Sequence, residues 1–237
     1  MSSIAREGVE GLLDLIYPPR CLVCRDIGEP CFCPKCLAKV ESIPRPYCKR
    51  CGHPVDSSRC RDCFGMAHSF TAARAAGVYS GTLRKAIHEF KYGGHRMLAE
   101  PLGQLLYRYL TKDADFPWES ADILVPVPIH STRKRFRGYN QSELLANELS
   151  RLTGKPVVPD AIARCLRTRA QVDLSEEGRR VNMRNAFSVE KPELLKGKVV
   201  LLIDDVATTC STAHECSLTL LKGNAARVYV ACVAFDL

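Results

Sequence analysis

The chain has 237 residues, 46% hydrophobic and 25% charged, with a formal net charge of +8. That composition supplies a packed core, excludes a disordered or fibrous chain, and contains no apolar run approaching membrane-spanning length. The length fits one medium domain with a small appendage or two modest domains, and the positive balance favours polyanionic partners, nucleic acid or a phosphorylated substrate, without choosing between them.

At the start, Ile4, Val9, Leu12, Leu13 and Ile16 recur near helical spacing ahead of Pro18-Pro19. The spacing predicts an amphipathic helix over 1–20, docked on the rest of the protein. Glu7, Glu10 and Asp14 interrupt the segment, so it does not read as a signal peptide. The chain is therefore expected in the cytoplasm, with a peripheral place on the inner face of the membrane as the lesser alternative.

Nine of the thirteen cysteines lie before residue 64, and eight of those form four C-x-x-C pairs. Cys21-x2-Cys24-x8-Cys33-x2-Cys36 repeats as Cys48-x2-Cys51-x8-Cys60-x2-Cys63, which reads as a duplicated unit. Each pair can bend into a knuckle that grips one metal with two thiolates, and two knuckles complete a tetrahedral four-sulfur site. Two structural zinc ions are expected over 21–64, held either by sequential knuckles or by an interleaved pairing of the first with the third. Without a secretory signal, a disulfide framework is the poorer reading. Cys31 reads as a spare thiol and His53 as a surface or turn residue. So small a head has little apolar core of its own and should depend on metal to fold.

Beyond the head, over 65–237, a short strand is expected around 76–79. Leu83, Ala86, Ile87 and Phe90 recur at helical spacing, and Lys91-Tyr92-Gly93-Gly94 provides a base and then glycine as a helix stop. A second helix is expected over 98–110, with Pro101 tolerated in its first turn. Ala121-Asp122-Ile123-Leu124-Val125-Pro126-Val127-Pro128 reads as a strand with an extended exit, running into a basic loop over 129–139 that carries Arg133, Lys134, Arg135 and Arg137. Asn140-Gln141-Ser142-Glu143 then opens a helix that closes at Gly154. The polar, Arg-rich stretch 175–185 reads as a lid, ahead of the strand-like Ala186-Phe187-Ser188-Val189.

The most informative stretch is Val199-Val200-Leu201-Leu202-Ile203-Asp204-Asp205-Val206-Ala207-Thr208-Thr209-Cys210-Ser211-Thr212. Five apolar residues read as a strand buried on both faces. Thr212 with Glu215 makes a capping box for the next helix. A loop at the end of such a strand, facing a helix N-terminus, suits a phosphate. Adjacent carboxylates suit neighbouring hydroxyls or a divalent cation, so together they describe a site for a phosphorylated sugar. A last strand over 227–234 completes a parallel α/β architecture, in which the basic loop 129–139 faces Asp204 and Asp205 across a switch point. A solvated basic loop is the plainer alternative.

The stretch 199–212 resembles the signature of type I phosphoribosyltransferases, in which two acids and a Thr-Thr-Gly loop bind the ribose hydroxyls and 5′-phosphate of phosphoribosyl pyrophosphate. Cys210 stands where that family has glycine. Keeping a positive φ there costs about 1 kcal/mol or more.

The chain as a whole resembles the ComF (GntX-like) competence proteins. The resemblance rests on the four knuckles, Phe90-Lys91-Tyr92-Gly93-Gly94, Val125-Pro126-Val127-Pro128, Arg137-Gly138-Tyr139-Asn140-Gln141, Arg179-Arg180-x-Asn182 with Ala186-Phe187, and the run from Ile203 to Thr212. It implies a double zinc ribbon joined to a type I phosphoribosyltransferase-like parallel sheet flanked by helices. It also implies a role in natural transformation or use of external DNA, with single-stranded DNA and a DNA-translocating helicase as candidate partners. On this resemblance Asp204 and Asp205 hold the ribose hydroxyls, and Thr208, Thr209, Cys210, Ser211 and Thr212 cradle the 5′-phosphate. Mg²⁺ with Arg133, Arg137 or Arg179 neutralises the pyrophosphate. Whether transfer to an acceptor base occurs is left open, since fold alone licenses no substrate.

Overall fold

The computed structural model describes residues 18–56, 60, 63, 68–165 and 186–237. Arg179 with the whole stretch 175–185, and nearly all of the expected helix over 1–20, lie outside those residues. In chain order the strands are β1 (Ala72–Val78), β2 (Ile123–Pro126), β3 (Ile162–Arg164), β4 (Phe187–Val189), β5 (Val199–Ala207) and β6 (Arg227–Phe235). The principal helices are α1 (Gly81–Tyr92), α2 (Ala99–Lys112), α3 (Ser131–Arg137), α4 (Gln141–Thr153) and α5 (Ser211–Lys222), with single helical turns at Pro34–Leu37 and Pro192–Leu195.

Four strands form a sheet in the order β1-β6-β5-β2, every neighbouring pair parallel. The apolar runs of β5 and β6 explain why they take the centre: their side chains alternate between two buried faces, as strands covered on both sides must. Leu201, Ile203, Tyr229 and Ala231 face a core shared with Leu83, Phe90, Leu102, Leu106 and Leu145 of α1, α2 and α4. Val200, Leu202, Val228 and Val230 face the opposite core, with Ala213, Cys216 and Leu220 of α5 and Phe187 of β4. Each fully buried leucine or valine here contributes about 1.5–3 kcal/mol. The strand expected at 186–189 forms, but it pairs antiparallel with β3, Arg164 opposite Phe187, outside the parallel sheet.

Two local expectations are corrected. The basic stretch 129–139 is not an open loop: residues 131–137 form α3, whose first turn is capped by His130, which accepts from the Thr132 N–H at 3.3 Å. Its end is set by Gly138 at φ 76°, a left-handed position that glycine adopts without strain. Nor does Thr212 cap α5. The helix begins at Ser211 after Cys210, so Thr212 already lies inside it.

The head keeps the signature of duplication in its backbone. The bridge Arg20↔Ile27 recurs as Tyr47↔Pro54. The bonds from the Cys21 N–H to the Asp26 carbonyl and from the Arg25 N–H to the Cys21 carbonyl recur as Cys48 to His53 and Gly52 to Cys48. Arg25 (φ 69°) and Gly52 (φ 78°) occupy the equivalent left-handed position. Only the second copy requires glycine there, because a Cβ on Gly52 would lie 2.5 Å from the Ala73 carbonyl oxygen and 2.8 Å from the Phe235 ring. His53 is likewise no surface residue: it is buried and packs edge-on against Phe235, 4.8 Å between centroids.

The second copy thus sits directly on the sheet. The Ala73 N–H donates to the Arg50 carbonyl at 2.7 Å. Arg74 donates to the Lys49 carbonyl at 3.0 Å and pairs with Asp113 at 2.9 Å, both side chains almost completely buried. The first copy is held by apolar contact, Phe32 and Cys36 belonging to the same core as α1. A head too small for a core of its own borrows one from the sheet and its helices.

Candidate functional site

Two kinds of site are present. In the head, Cys21, Cys24, Cys33 and Cys36 converge, and separately Cys48, Cys51, Cys60 and Cys63, the sulfurs of each group lying within 4.8 Å of one another. The pairing is therefore sequential. A tetrahedral zinc with bonds of about 2.3 Å requires sulfur–sulfur edges of about 3.8 Å. The closest pairs measure 3.9 Å (Cys21–Cys36) and 3.7 Å (Cys24–Cys33) in one group, and 3.8 Å (Cys48–Cys63) and 3.4 Å (Cys51–Cys60) in the other. Both donor sets fit the ion. Burial opposes ionisation of Cys21, yet backbone N–H groups of Cys24, Cys33 and Val23 bring it down to about 6, while burial and its neighbours push the Cys36 thiol far up. Four thiols so close cannot all ionise without a cation among them. With every position filled by sulfur, such centres are structural. Cys31 belongs to neither group; its thiol lies 3.7 Å from the Met97 carbonyl.

The second site is a cavity of about 780 Å³ at the C-terminal ends of β2 and β5, within the usual range for small-molecule sites. Asp204, Asp205, Thr208, Thr209, Cys210, Ser211 and Thr212 line one side, and Arg133 and Arg137 line the other. Sequence reasoning named all of these, and the fold brings them together. The parallel topology is what does so, since it places the β2 and β5 exits side by side.

β5 continues through both acids to Ala207, so the carboxylates project from a strand and not from a loose turn. Asp204 accepts from the Ser142 hydroxyl at 3.0 Å and from the Asp205 N–H at 2.9 Å. Asp205 pairs with the Lys91 ammonium at 2.8 Å. Burial, and then the charge of Asp205, push Asp204 up to about 7. The remaining turn reaches α5 through Cys210 at φ 56° and ψ 14°. The glycine-like geometry is thus kept by a residue with a side chain, at a cost of about 1–2 kcal/mol. The Thr209 and Ser211 hydroxyls lie 2.7 Å apart at the mouth of the helix, where the helix dipole favours an anion.

On the opposite wall, Arg137 donates to Gln141 at 3.1 Å and stacks over Tyr92 at 4.9 Å. Lys134 turns aside to Glu143 at 3.3 Å. Arg164, contributed by β3, also faces the cavity; burial and the nearby Arg133 lower its pKa. The two histidines near the site have structural partners: His130 caps α3, and His214 accepts from the Ser69 N–H at 3.0 Å.

Sequence reasoning missed Lys91, Tyr92, Ser142 and Arg164 as cavity residues. Ser142 was visible as part of a helix start, with Asn140 capping its N–H at 3.1 Å. Lys91 was visible as the base before Gly93-Gly94. Nothing local to either marks it as reaching Asp204 or Asp205, which lie on a distant strand.

Among known proteins, Competence protein F of Haemophilus influenzae is 34% identical over 212 residues, 86% of this chain and 91% of that one. The chain belongs to the ComF competence protein family. DNA utilization protein YhgH of Escherichia coli K12 is 31% identical over 92% of this chain and 98% of its own length. Competence protein ComFC of Bacillus subtilis is 26% identical over 83% and 80%. Residues 12–64 match the family described as the double zinc ribbon domain, which agrees with the two four-cysteine groups of this ComF chain. A solved glutamine phosphoribosylpyrophosphate amidotransferase of B. subtilis, complexed with ADP and GMP, aligns with 61% of this chain and 30% of its own at 17% identity and a TM-score of 0.41, a likeness too distant to bear on function. Among the described residues, no helix is long and apolar enough to cross a membrane.

Proposed function

We propose that this ComF-family protein serves DNA uptake or utilization and binds phosphoribosyl pyrophosphate, with Mg²⁺, in the cavity at the ends of β2 and β5. The observation that carries this reading is the convergence of three chemistries on one cavity. Paired acids accept from ribose hydroxyls, the turn 208–212 at the α5 N-terminus receives a phosphate, and Arg133 and Arg137 face them with positive charge. Mg²⁺ bound to the ligand's diphosphate supplies further charge neutralisation. The names carried by the relatives, competence protein and DNA utilization protein, support the biological setting.

Binding without turnover is the form of this reading favoured here, because His130 and His214 are both engaged in local structure. Calorimetric titration with phosphoribosyl pyrophosphate and Mg²⁺ tests the site: saturable binding should be lost in the Asp204→Asn, Asp205→Asn double variant, and unchanged binding in that variant refutes the assignment. Pyrophosphate release in the presence of candidate bases distinguishes an active phosphoribosyltransferase.

A second reading, contact with single-stranded DNA at the cavity rim, is favoured by Phe136. This residue is 87% exposed on the basic helix α3, and an exposed ring among arginines suits base stacking. A gel shift that is insensitive to Phe136→Ala counts against it.

A further inference from the structure

Lys91 is held in place from both sides. It stands in the last turn of α1, which ends at Tyr92 with the Gly93 N–H donating to the Glu89 carbonyl, and Gly94 follows at φ 74°. Phe90 is fully buried, its carbonyl accepting from the Tyr139 hydroxyl, while Tyr92 lies under the Arg137 guanidinium at 4.9 Å. With both neighbours fixed, the ammonium is delivered across the cavity to Asp205 at 2.8 Å, with little of either side chain exposed.

The arrangement answers a problem posed by the two acids. Adjacent carboxylates at a buried strand end repel each other unless one is protonated or a cation lies beside them. Here each has an assigned partner, the Ser142 hydroxyl for Asp204 and Lys91 for Asp205. A carboxylate has about four acceptor positions, so both retain capacity for ligand hydroxyls. Burial works against the charge on Lys91, but Asp205 and then Asp204 more than offset it, and its pKa is raised. The lysine therefore enters the ligand-binding state charged.

We propose that Lys91 is a built-in counter-cation: by neutralising Asp205 it lets the acid pair take the hydroxyls of a ribose phosphate without a protein-bound divalent ion. The proposal rests on the reading of this cavity as a phosphorylated-ribose site. Lys91 here is a positioning residue, setting the charge and orientation of Asp205. Any divalent ion then arrives with the ligand's own diphosphate and is not required by a ligand that lacks one.

The probe is ribose 5-phosphate, titrated calorimetrically into zinc-loaded protein in Mg²⁺-free buffer without chelator and again in millimolar Mg²⁺. Wild type should bind equally in both. Lys91→Met should lose about tenfold or more in affinity without Mg²⁺ and regain part of it when Mg²⁺ is added, while Lys91→Arg should stay near wild type. A wild type that needs Mg²⁺, or a Lys91→Met variant that binds as wild type without it, overturns the proposal while leaving the cavity assignment standing. Failure of wild type to bind ribose 5-phosphate in either buffer overturns both. If Lys91→Met does not fold, Lys91→Gln takes its place with the same expected loss and Mg²⁺ rescue, and a merely structural ion pair would not change the Mg²⁺ dependence.

Discussion

Ser142 donates its hydroxyl to Asp204 across 3.0 Å, tying the first turn of α4 to the C-terminal end of β5. The bond orients an acid that burial and Asp205 together keep protonated up to about pH 7. Unfolded, the same carboxyl titrates in the ordinary range near 4. Between those values the folded chain holds a proton that the unfolded chain has released, so Asp204 costs stability progressively as pH rises from about 4 to about 7.

Asp204→Asn keeps an acceptor for Ser142 and removes that cost. The variant should be more stable than wild type at pH 7.5, by about 1–2 kcal/mol, and the advantage should vanish near pH 4. Thermal melts at the two pH values measure it. An equal advantage at both would show that Asp204 titrates normally.

Cys210 gives a cleaner test of backbone strain. In an ordinary position alanine is more stable than glycine by about 0.4–1 kcal/mol. At φ 56° the order should reverse, with Cys210→Gly about 1 kcal/mol more stable than Cys210→Ala. Denaturant unfolding of the two variants compares them directly, and alanine being the more stable would place Cys210 outside the left-handed region.

The zinc pairing predicts a stoichiometry. Removing one ligand from the first knuckle and one from the second, as Cys24→Ser with Cys36→Ser, should abolish one ion and leave the other, since both belong to the same group. Had the first knuckle paired with the third, the same double variant would strike both centres. Metal analysis of purified protein should read close to two zinc ions for wild type and close to one for the variant.

The central strands were legible in the sequence because burial on both faces leaves an unbroken apolar run, as at 199–203, and helix ends were legible where glycine follows, as at Gly93 and Gly154. What escaped was long-range or compensated. The strand containing Asp204 and Asp205 extends to Ala207 because β6 continues to pair alongside, Val206 opposite Ala234, and polar residues gave no hint of that. Residues 131–137 lack the apolar periodicity of a packed helix; capping and a left-handed glycine, not burial, make α3. Lys91 in a last helical turn resembles any base placed to complement the helix dipole. Arg74, a charge within the otherwise small, apolar strand β1, could be understood only once Asp113 and the Lys49 carbonyl appeared beside it.

That buried arginine also governs how the protein can be divided. Arg74 belongs to the sheet, yet one of its acceptors is the backbone of a zinc knuckle, and its guanidinium lies 4.9 Å from the ring of Tyr47 in the same head. A truncation that discards the cysteine-rich segment would leave a strand exposing a charge pair built for the dark, and one that keeps the head alone would strip Gly52 and His53 of the Phe235 ring they rest on. Ribbon and sheet therefore share one buried interior, despite a sequence that reads as two parts.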